Sequence, residues 1–291
     1  MPDTQVSQPP PRRVLDAFGL TGEPEPLPGG QGRAFRVGGA VLKPTDDPLE
    51  AEWSAGVMRG VARGHGFAVP EPLRVGTGRH VAHGWTATAL VAGAPGPSGR
   101  WGELLTAARA FHAALARVPR PGFLERRRHP WAVADRVAWA EQSADTGSEA
   151  AAVLTRLLRL RRPVEMPSQI VHGDLTGNVL FAEGGDPVII DFSPYWRPAA
   201  YAEAVVVADG LLYHPGEVPV ADVGDAGAQW TQMLVRALVF RLVAACELAG
   251  PGGRIPEEEI RRFTAAAAVV AARAATAGTG RQEPPPADGL R

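Results

Sequence analysis

The stretch Val171–Ser193, VHGDLTGNVLFAEGGDPVIIDFS, constrains this chain more than any other part of it. It lies in a region whose flanks have helical patterning, yet it consists of short apolar runs bounded by Gly and Asp turn signals. Runs of that length with those flanks are buried strands, too short to be helices. The turn Glu183-Gly184-Gly185-Asp186 joins two of them, VLF and VII, and a third ends at His172. The chain must therefore set a small group of strands among helices. Asp174 and Asp191 then stand at strand ends, with Asn178 in the polar loop between them.

Two carboxylates and an amide in this layout suit phosphoryl transfer: Asp174 to orient an attacking hydroxyl, Asn178 and Asp191 to hold Mg²⁺. Residue usage sharpens the reading. Of 30 Lys and Arg residues only Lys43 is a lysine, and Asn178 is the sole asparagine. Lys43 ends the strand-like AVLK, and Asn178 closes the HGDLTGN loop. A kinase-type nucleotide site requires a lysine and an asparagine at those two places. His172 joins the catalytic candidates as an organiser of the loop, since the chemistry itself needs no imidazole.

The rest of the chain is read in order. Residues 1–12 and the tail from Gly278 are polar and Pro-rich, and their composition predicts disorder. RRVLDAFGL suggests a short helix. A Gly-rich tip, Gly29 to Gly32, then leads into strands around Ala34–Val37 and Ala40–Lys43, joined at Gly38-Gly39. Pro48–Ala62 has helical spacing, and VPEPLRV and WTATALVAG read as two further strands. Gly93–Pro97 is a linker by composition, and beyond it the chain is mostly helical. Helices are expected over Trp101–Val118, Trp131–Gln142, Ser148–Arg161, Tyr201–Tyr213, Gln229–Leu248 and Pro256–Ala277. These elements divide the chain into an N-lobe over residues 13–92 and a helical C-lobe over residues 93–277 carrying the inserted strands.

Bulk properties narrow the partners. A formal net charge of -1 makes no electrostatic case for nucleic acid or an anionic membrane. The single cysteine, Cys246, lies in an apolar helical setting and reads as an inert thiol suited to a reducing cytoplasm. The N-terminus lacks the pattern of a secretory signal, and the apolar run AVVVADGLLY is broken by Asp209. A soluble, cytoplasmic protein is the expectation.

Lys43 would bind the α- and β-phosphates, held straight by a glutamate on the following helix; Glu52 is preferred over Glu50. Gly30 and Gly32 would bring backbone amides close to the phosphates. The excess of Glu203, Asp209, Glu217, Asp222, Asp225 and Glu247 over Arg197, Arg236 and Arg241 would suit a cationic acceptor, or be surface charge. Tyr195, Trp196, Tyr201, Tyr213 and Trp230 could stack on a sugar ring or belong to the core.

Together these residues resemble the aminoglycoside phosphotransferase family of the protein-kinase-like superfamily, most nearly an uncharacterised branch of it. HGDLTGNVLF resembles its catalytic loop, VIIDFS its metal-binding strand end, PGGQGRAFRV…AVLKP its nucleotide loop and lysine strand, and WTATALVAGAPGP its hinge. The resemblance implies an α+β, bilobal protein-kinase-like fold, with a small antiparallel β N-lobe and a larger, mostly helical C-lobe. It implies Asp174 as the catalytic carboxylate, Asn178 and Asp191 as Mg²⁺ ligands, Lys43 as the nucleotide lysine, and adenine on the backbone near Ala89 and Val91. The expected activity is transfer of phosphate from ATP or GTP to the hydroxyl of a small molecule such as an amino sugar, aminoglycoside or amino alcohol. One departure stands out: Asn178 follows Asp174 by four residues, one fewer than the family loop has. That keeps open a second reading, a nucleotide-binding pseudokinase with a regulatory or scaffold role. A protein kinase is disfavoured, because Thr176 stands where those for Ser/Thr carry a lysine.

Overall fold

The structure, a computed structural model, describes residues 8–28, 32–61, 65–144, 148–218, 227–250 and 253–279. Most of the two ends expected to be disordered, and Gly29 to Gln31 of the Gly-rich tip, lie outside the described residues. The chain forms two compact units: one runs up to Glu125 and adds Gln169–Trp196, the other comprises Arg126–Ser168 and the chain from Arg197 onward.

The first unit opens with α1 (Arg12–Phe18), followed by a five-stranded antiparallel sheet. Its strands are β1 (Glu25–Pro26), β2 (Phe35–Val37), β3 (Ala40–Pro44), β4 (Val81–Ala82) and β5 (Trp85–Ala89), in the order β1-β2-β3-β5-β4. Alternation decides which way each side chain goes. Phe35, Val37, Ala40, Leu42, Trp85 and Ala87 are buried in one cluster with Val14, Leu15 and Phe18 of α1. Lys43, one residue on from Leu42, faces the other side of the sheet. Between β3 and β4 runs α2 (Pro48–Val61). Asp47 caps it, its Oδ1 accepting from the amides of Leu49 and Glu50 at 2.9 and 3.1 Å, with Pro48 at the first helical position.

One expected strand is corrected. VPEPLRV forms an isolated bridge, Pro72 to Thr88, and the bonds Leu73 N–H to Ala87 O and Ala89 N–H to Glu71 O, both 2.8 Å, but no strand. Pro70 and Pro72 have no N–H to donate, so a continuous ladder cannot form there. The linker is corrected in the opposite sense. Within it Ala94–Pro95 is a short strand, β6, that pairs with Leu180 and Phe181.

After β6 comes α3 (Trp101–Leu115), with Leu104, Leu105, Ala108, Phe111, His112 and Leu115 on its buried face. The stretch around Val171–Ser193 folds into short strands as expected. They are β7 (Gln169–His172), β8 (Val179–Phe181), β9 (Val188–Ile189) and β10 (Pro194–Arg197). Strands β6-β8-β9 make one small sheet, and β7 pairs with β10.

The second unit is helical among its described residues: α4 (Pro130–Ala138), α5 (Ser148–Leu160), α6 (Ala199–Tyr213), α7 (Ala228–Ala249) and α8 (Glu257–Thr279). Helix α7 is its centre, packing on the other four, and is buried on most of its circumference from Trp230 to Ala244. Arg197 donates to Asp135 and Glu141 at 2.6–3.2 Å and lies over the Trp139 ring. Burial disfavours its charge, but bonds to Glu141 and Asp135 outweigh that and raise its pKa. Cys246 is half-buried, and burial raises its thiol pKa, as an inert thiol requires. No described helix is long and apolar enough to cross a membrane.

Candidate active site

The site is assembled within the first unit. After β7 the chain turns through Gly173, Asp174, Leu175, Thr176 and Gly177 into β8, and Asn178 closes that turn, its amide donating to Leu175 O at 3.0 Å. Gly177 has φ +81°, a conformation that glycine adopts without steric penalty. The tighter loop is thus taken up at Gly177. It brings Asn178 Nδ2 to 2.7 Å from Asp174 O and 3.2 Å from Asp174 Oδ2.

The strand end carrying Asp191 is tied to the same loop, because Ile190 N–H donates to Asn178 O at 3.0 Å. Asp191 has φ +53°, sparsely populated for a residue other than glycine. Backbone held in that region gathers at functional sites. From the sheet, Lys43 forms an ion pair with Asp191 Oδ1. Lys43, Asp174, Asn178 and Asp191 therefore form one connected group, drawn from β3 and from the ends of β7, β8 and β9.

His172 lies beneath this group, fully buried. Its Nε2 faces Ile190 O at 3.0 Å and its Nδ1 accepts from Asp174 N–H at 3.1 Å. The carbonyl can only accept, so the proton is on Nε2 and Nδ1 keeps its lone pair. Burial lowers the pKa, which keeps the ring neutral. Both nitrogens bond to backbone, so His172 organises the loop and its ring faces no solvent. Phe192 packs against it, and Phe111 and Trp53 pack against Phe192, at centroid distances of 5.7–6.3 Å.

The expected partnership of Lys43 with Glu52 is corrected. The Glu52 carboxylate instead accepts from the amides of His80 and Val81 at 3.0–3.2 Å and pairs with His80 Nδ1 at 2.8 Å. Burial opposes its charge, but the bonds from His80 and Val81 prevail and lower its pKa. Two consecutive amides converging at the start of β4 offer this carboxylate more than a single ammonium would. Lys43 takes Asp191 as its counter-ion. Of the Gly-rich tip, Gly32 is described, with φ +69°, while Gly30 lies outside the described residues. At the end of β5, Ala89 N–H is committed to Glu71 O and Leu90 N–H to Gly39 O, both at 2.8 Å. Neither of these two amides is left to donate to a nucleotide base.

A cation fits this donor set. Among the described residues no group of three or more His, Cys, Asp or Glu gathers to hold a metal. Asn178 and Asp191 offer two oxygens, and Mg²⁺ takes one or two carboxylates and completes its octahedron with phosphates and water. With Nδ2 of Asn178 turned to Asp174, its carbonyl oxygen is the atom left for the ion.

One contributor went unrecognised in the sequence: His112, whose Nε2 accepts from His172 N–H at 3.1 Å. Tyr195, singled out there as a sugar-stacking or core aromatic, has its ring against Gly173. The available signal for His112 was a polar residue on the apolar face of α3. The proposed acceptor-facing groups resolve differently. Asp209 is buried in an ion pair with Arg241 at 2.6 Å, and Asp222 and Asp225 lie outside the described residues. Tyr195, Tyr201 and Trp230 are core residues, whereas Tyr213 is 44% exposed.

Comparison with known proteins gives the family and the fold. The profile of the phosphotransferase enzyme family matches residues 25–232. The chain belongs to this family. No curated protein matches its sequence. It is similar in fold to the microcompartment-associated aminopropanol kinase (16% identity, TM-score 0.60, covering 91% of this chain and 97% of that one). A second likeness is to an aminoglycoside phosphotransferase from Alicyclobacillus acidocaldarius (15%, TM-score 0.58, 94% and 97%). A third is to a spectinomycin phosphotransferase in complex with ADP and spectinomycin (14%, TM-score 0.54, 89% and 96%). The α+β protein-kinase-like fold and the family are as the motifs led us to expect.

Proposed function

We propose that this phosphotransferase moves the terminal phosphoryl group of ATP or GTP, with Mg²⁺, onto the hydroxyl of a small molecule. The observation that carries the reading is the connected group Lys43–Asp191 and Asp174–Asn178, joined through Ile190 and Asn178. Phosphoryl transfer needs little covalent help from the protein, so positioning and charge are what the residues must supply. Asp174, one oxygen held by Asn178, orients the acceptor hydroxyl and takes its proton. Lys43 exchanges Asp191 for the α- and β-phosphates. Asn178 and Asp191 hold Mg²⁺, which when bound neutralises charge on the β- and γ-phosphates. The Val91 amide receives adenine or guanine, and Gly30 and Gly32 cover the phosphates. Residues 13–92 and 93–277 are the two functional lobes of this reading.

Acceptors bearing both a hydroxyl and an amine come first for testing, because the similar structures are named for aminopropanol, aminoglycosides and spectinomycin. The experiment is a thermal-shift titration with ATP and GTP, with and without Mg²⁺, followed by an acceptor screen for phosphate transfer. A nucleotide at 100 times its Kd stabilises the native state by about 2.7 kcal/mol. Asp191→Ala should abolish the Mg²⁺-dependent part of the shift. Asp174→Asn should keep the shift and lose turnover. Binding indifferent to Mg²⁺, with no transfer to any acceptor, would favour the pseudokinase reading, and no shift at all would refute the nucleotide site.

A further inference from the structure

The backbone that delivers Asp174 is pinned at three consecutive amides, each by a different acceptor. Gly173 N–H donates to Ser193 O at 3.0 Å, and Asp174 N–H donates to His172 Nδ1 at 3.1 Å. The first of the three is His172 N–H. It donates to Nε2 of His112, on α3, at 3.1 Å. The same residue also holds the start of β7, since Gln169 Nε2 donates to His112 O at 2.6 Å. One residue of α3 thus secures both ends of the strand that leads into the loop.

His112 does this in a costly position. It is 1% exposed, and with Nε2 accepting, its proton must sit on Nδ1. That nitrogen is buried with no hydrogen-bond partner among the described residues. A leucine would fill the space without burying an unpaired donor, but would leave His172 N–H unpaired in its turn. What the imidazole provides, and an apolar side chain cannot, is a lone pair at the reach of Nε2.

We propose that His112 is a positioning residue for phosphoryl transfer, its Nε2 fixing the end of β7 and through it the Asp174 carboxylate. The proposal rests on the reading of Asp174 given above. His112 touches none of the reacting groups and acts only through the His172 amide.

Three substitutions separate this role from mere packing. His112→Gln places a carbonyl oxygen near where Nε2 stands, His112→Asn stops short of it, and His112→Leu keeps bulk without an acceptor. Each is measured for kcat and KM with Mg·ATP, using the acceptor from the screen or, failing one, water. Hydrogen exchange of the His172 and Gly173 amides is followed in parallel. A displacement of about 1 Å at the reacting groups costs on the order of 100-fold. His112→Leu and His112→Asn should therefore lower kcat by roughly 10- to 100-fold while the KM for ATP stays within about twofold. Both should speed exchange at His172, and His112→Gln should recover kcat to within about threefold and restore protection. Equal kcat and equal exchange in the glutamine and asparagine variants would overturn the proposal. That pair also decides the matter should the leucine variant not fold. Asp174→Asn, run alongside, keeps the two readings apart. Normal turnover there removes the catalytic assignment of Asp174 and the positioning role with it. Lost turnover there beside an unaffected asparagine variant removes the positioning role alone.

Discussion

Gly173 stands between His172 and Asp174, and the Tyr195 ring lies so close that the loop admits no side chain. A Cβ at Gly173 would sit 2.3 Å from Cδ2 and 2.5 Å from Cε2 of that ring. Carbon atoms rest at about 3.5–4.0 Å, so Gly173→Ala demands a separation of at least about 1.2 Å. Tyr195 is 7% exposed and cannot swing into solvent without opening the core. The backbone of Gly173 has no positive φ, so the effect would come from the clash and not from backbone preference. The loop must yield, and the 3.0 Å bond from Gly173 N–H to Ser193 O is the first to stretch. Overpacking costs about 1–3 kcal/mol. The lost hydrogen bond adds about 1 kcal/mol, for a total of roughly 2–4 kcal/mol. Moving the neighbouring Asp174 by about 1 Å should lower kcat by on the order of 100-fold. Urea unfolding and turnover would be measured for Gly173→Ala, Tyr195→Ala and the double variant. Removing the ring should relieve the alanine, leaving the pair non-additive by about 1 kcal/mol or more. Wild-type turnover and stability in Gly173→Ala, or strict additivity in the double variant, would refute the reasoning.

Other outcomes follow from the same contacts. Glu52→Ala leaves the amides of His80 and Val81 without their acceptor and should cost about 1–3 kcal/mol in urea unfolding. It should disturb nucleotide affinity less than Lys43→Ala does, and a larger loss of affinity than in Lys43→Ala would restore Glu52 as the lysine's working partner. Arg197→Met strands Asp135, whose side chain is 11% exposed, and should destabilise by about 3–5 kcal/mol at pH 8. The loss should shrink at pH 5 as the carboxyl takes up a proton; a pH-independent loss would count against an uncompensated charge. Stability should also fall in mild acid. Burial lowers His112 from 6.5 to about 3 and lowers His172 too, so the folded chain stays unprotonated at both while the unfolded chain binds protons below about 6.5. With more protons bound to the unfolded state, stability drops as pH falls, by up to about 1.4 kcal/mol per pH unit for each histidine. Unfolding midpoints at pH 7.5, 6 and 5 test this, and His112→Gln should remove one histidine's share of the slope.

Much of the candidate site could be read from the sequence because its residues sit on local signals. Strand ends and turns between Val171 and Ser193 expose Asp174, Asn178 and Asp191, and two otherwise missing residue types fall at Lys43 and Asn178. Alternation along β3 also determines that Lys43 faces away from the cluster holding Leu42. What remained hidden is a matter of partners. Glu52 meets His80 across 28 residues, His112 meets His172 across 60, and Lys43 meets Asp191 across 148. Periodicity says that a side chain points inward; it carries nothing about which distant group it will find there. Helical spacing cannot tell a glutamate bound to an ammonium from one bound to two backbone amides at the start of β4. Composition likewise cannot show that Ala94–Pro95 pairs with β8, because edge pairing depends on what the fold brings alongside. Sequence alone marked the candidate groups and most of the elements that carry them, since both follow from local backbone chemistry. Only the tertiary structure decided how those groups are held, since each restraint is a contact between segments far apart in the chain.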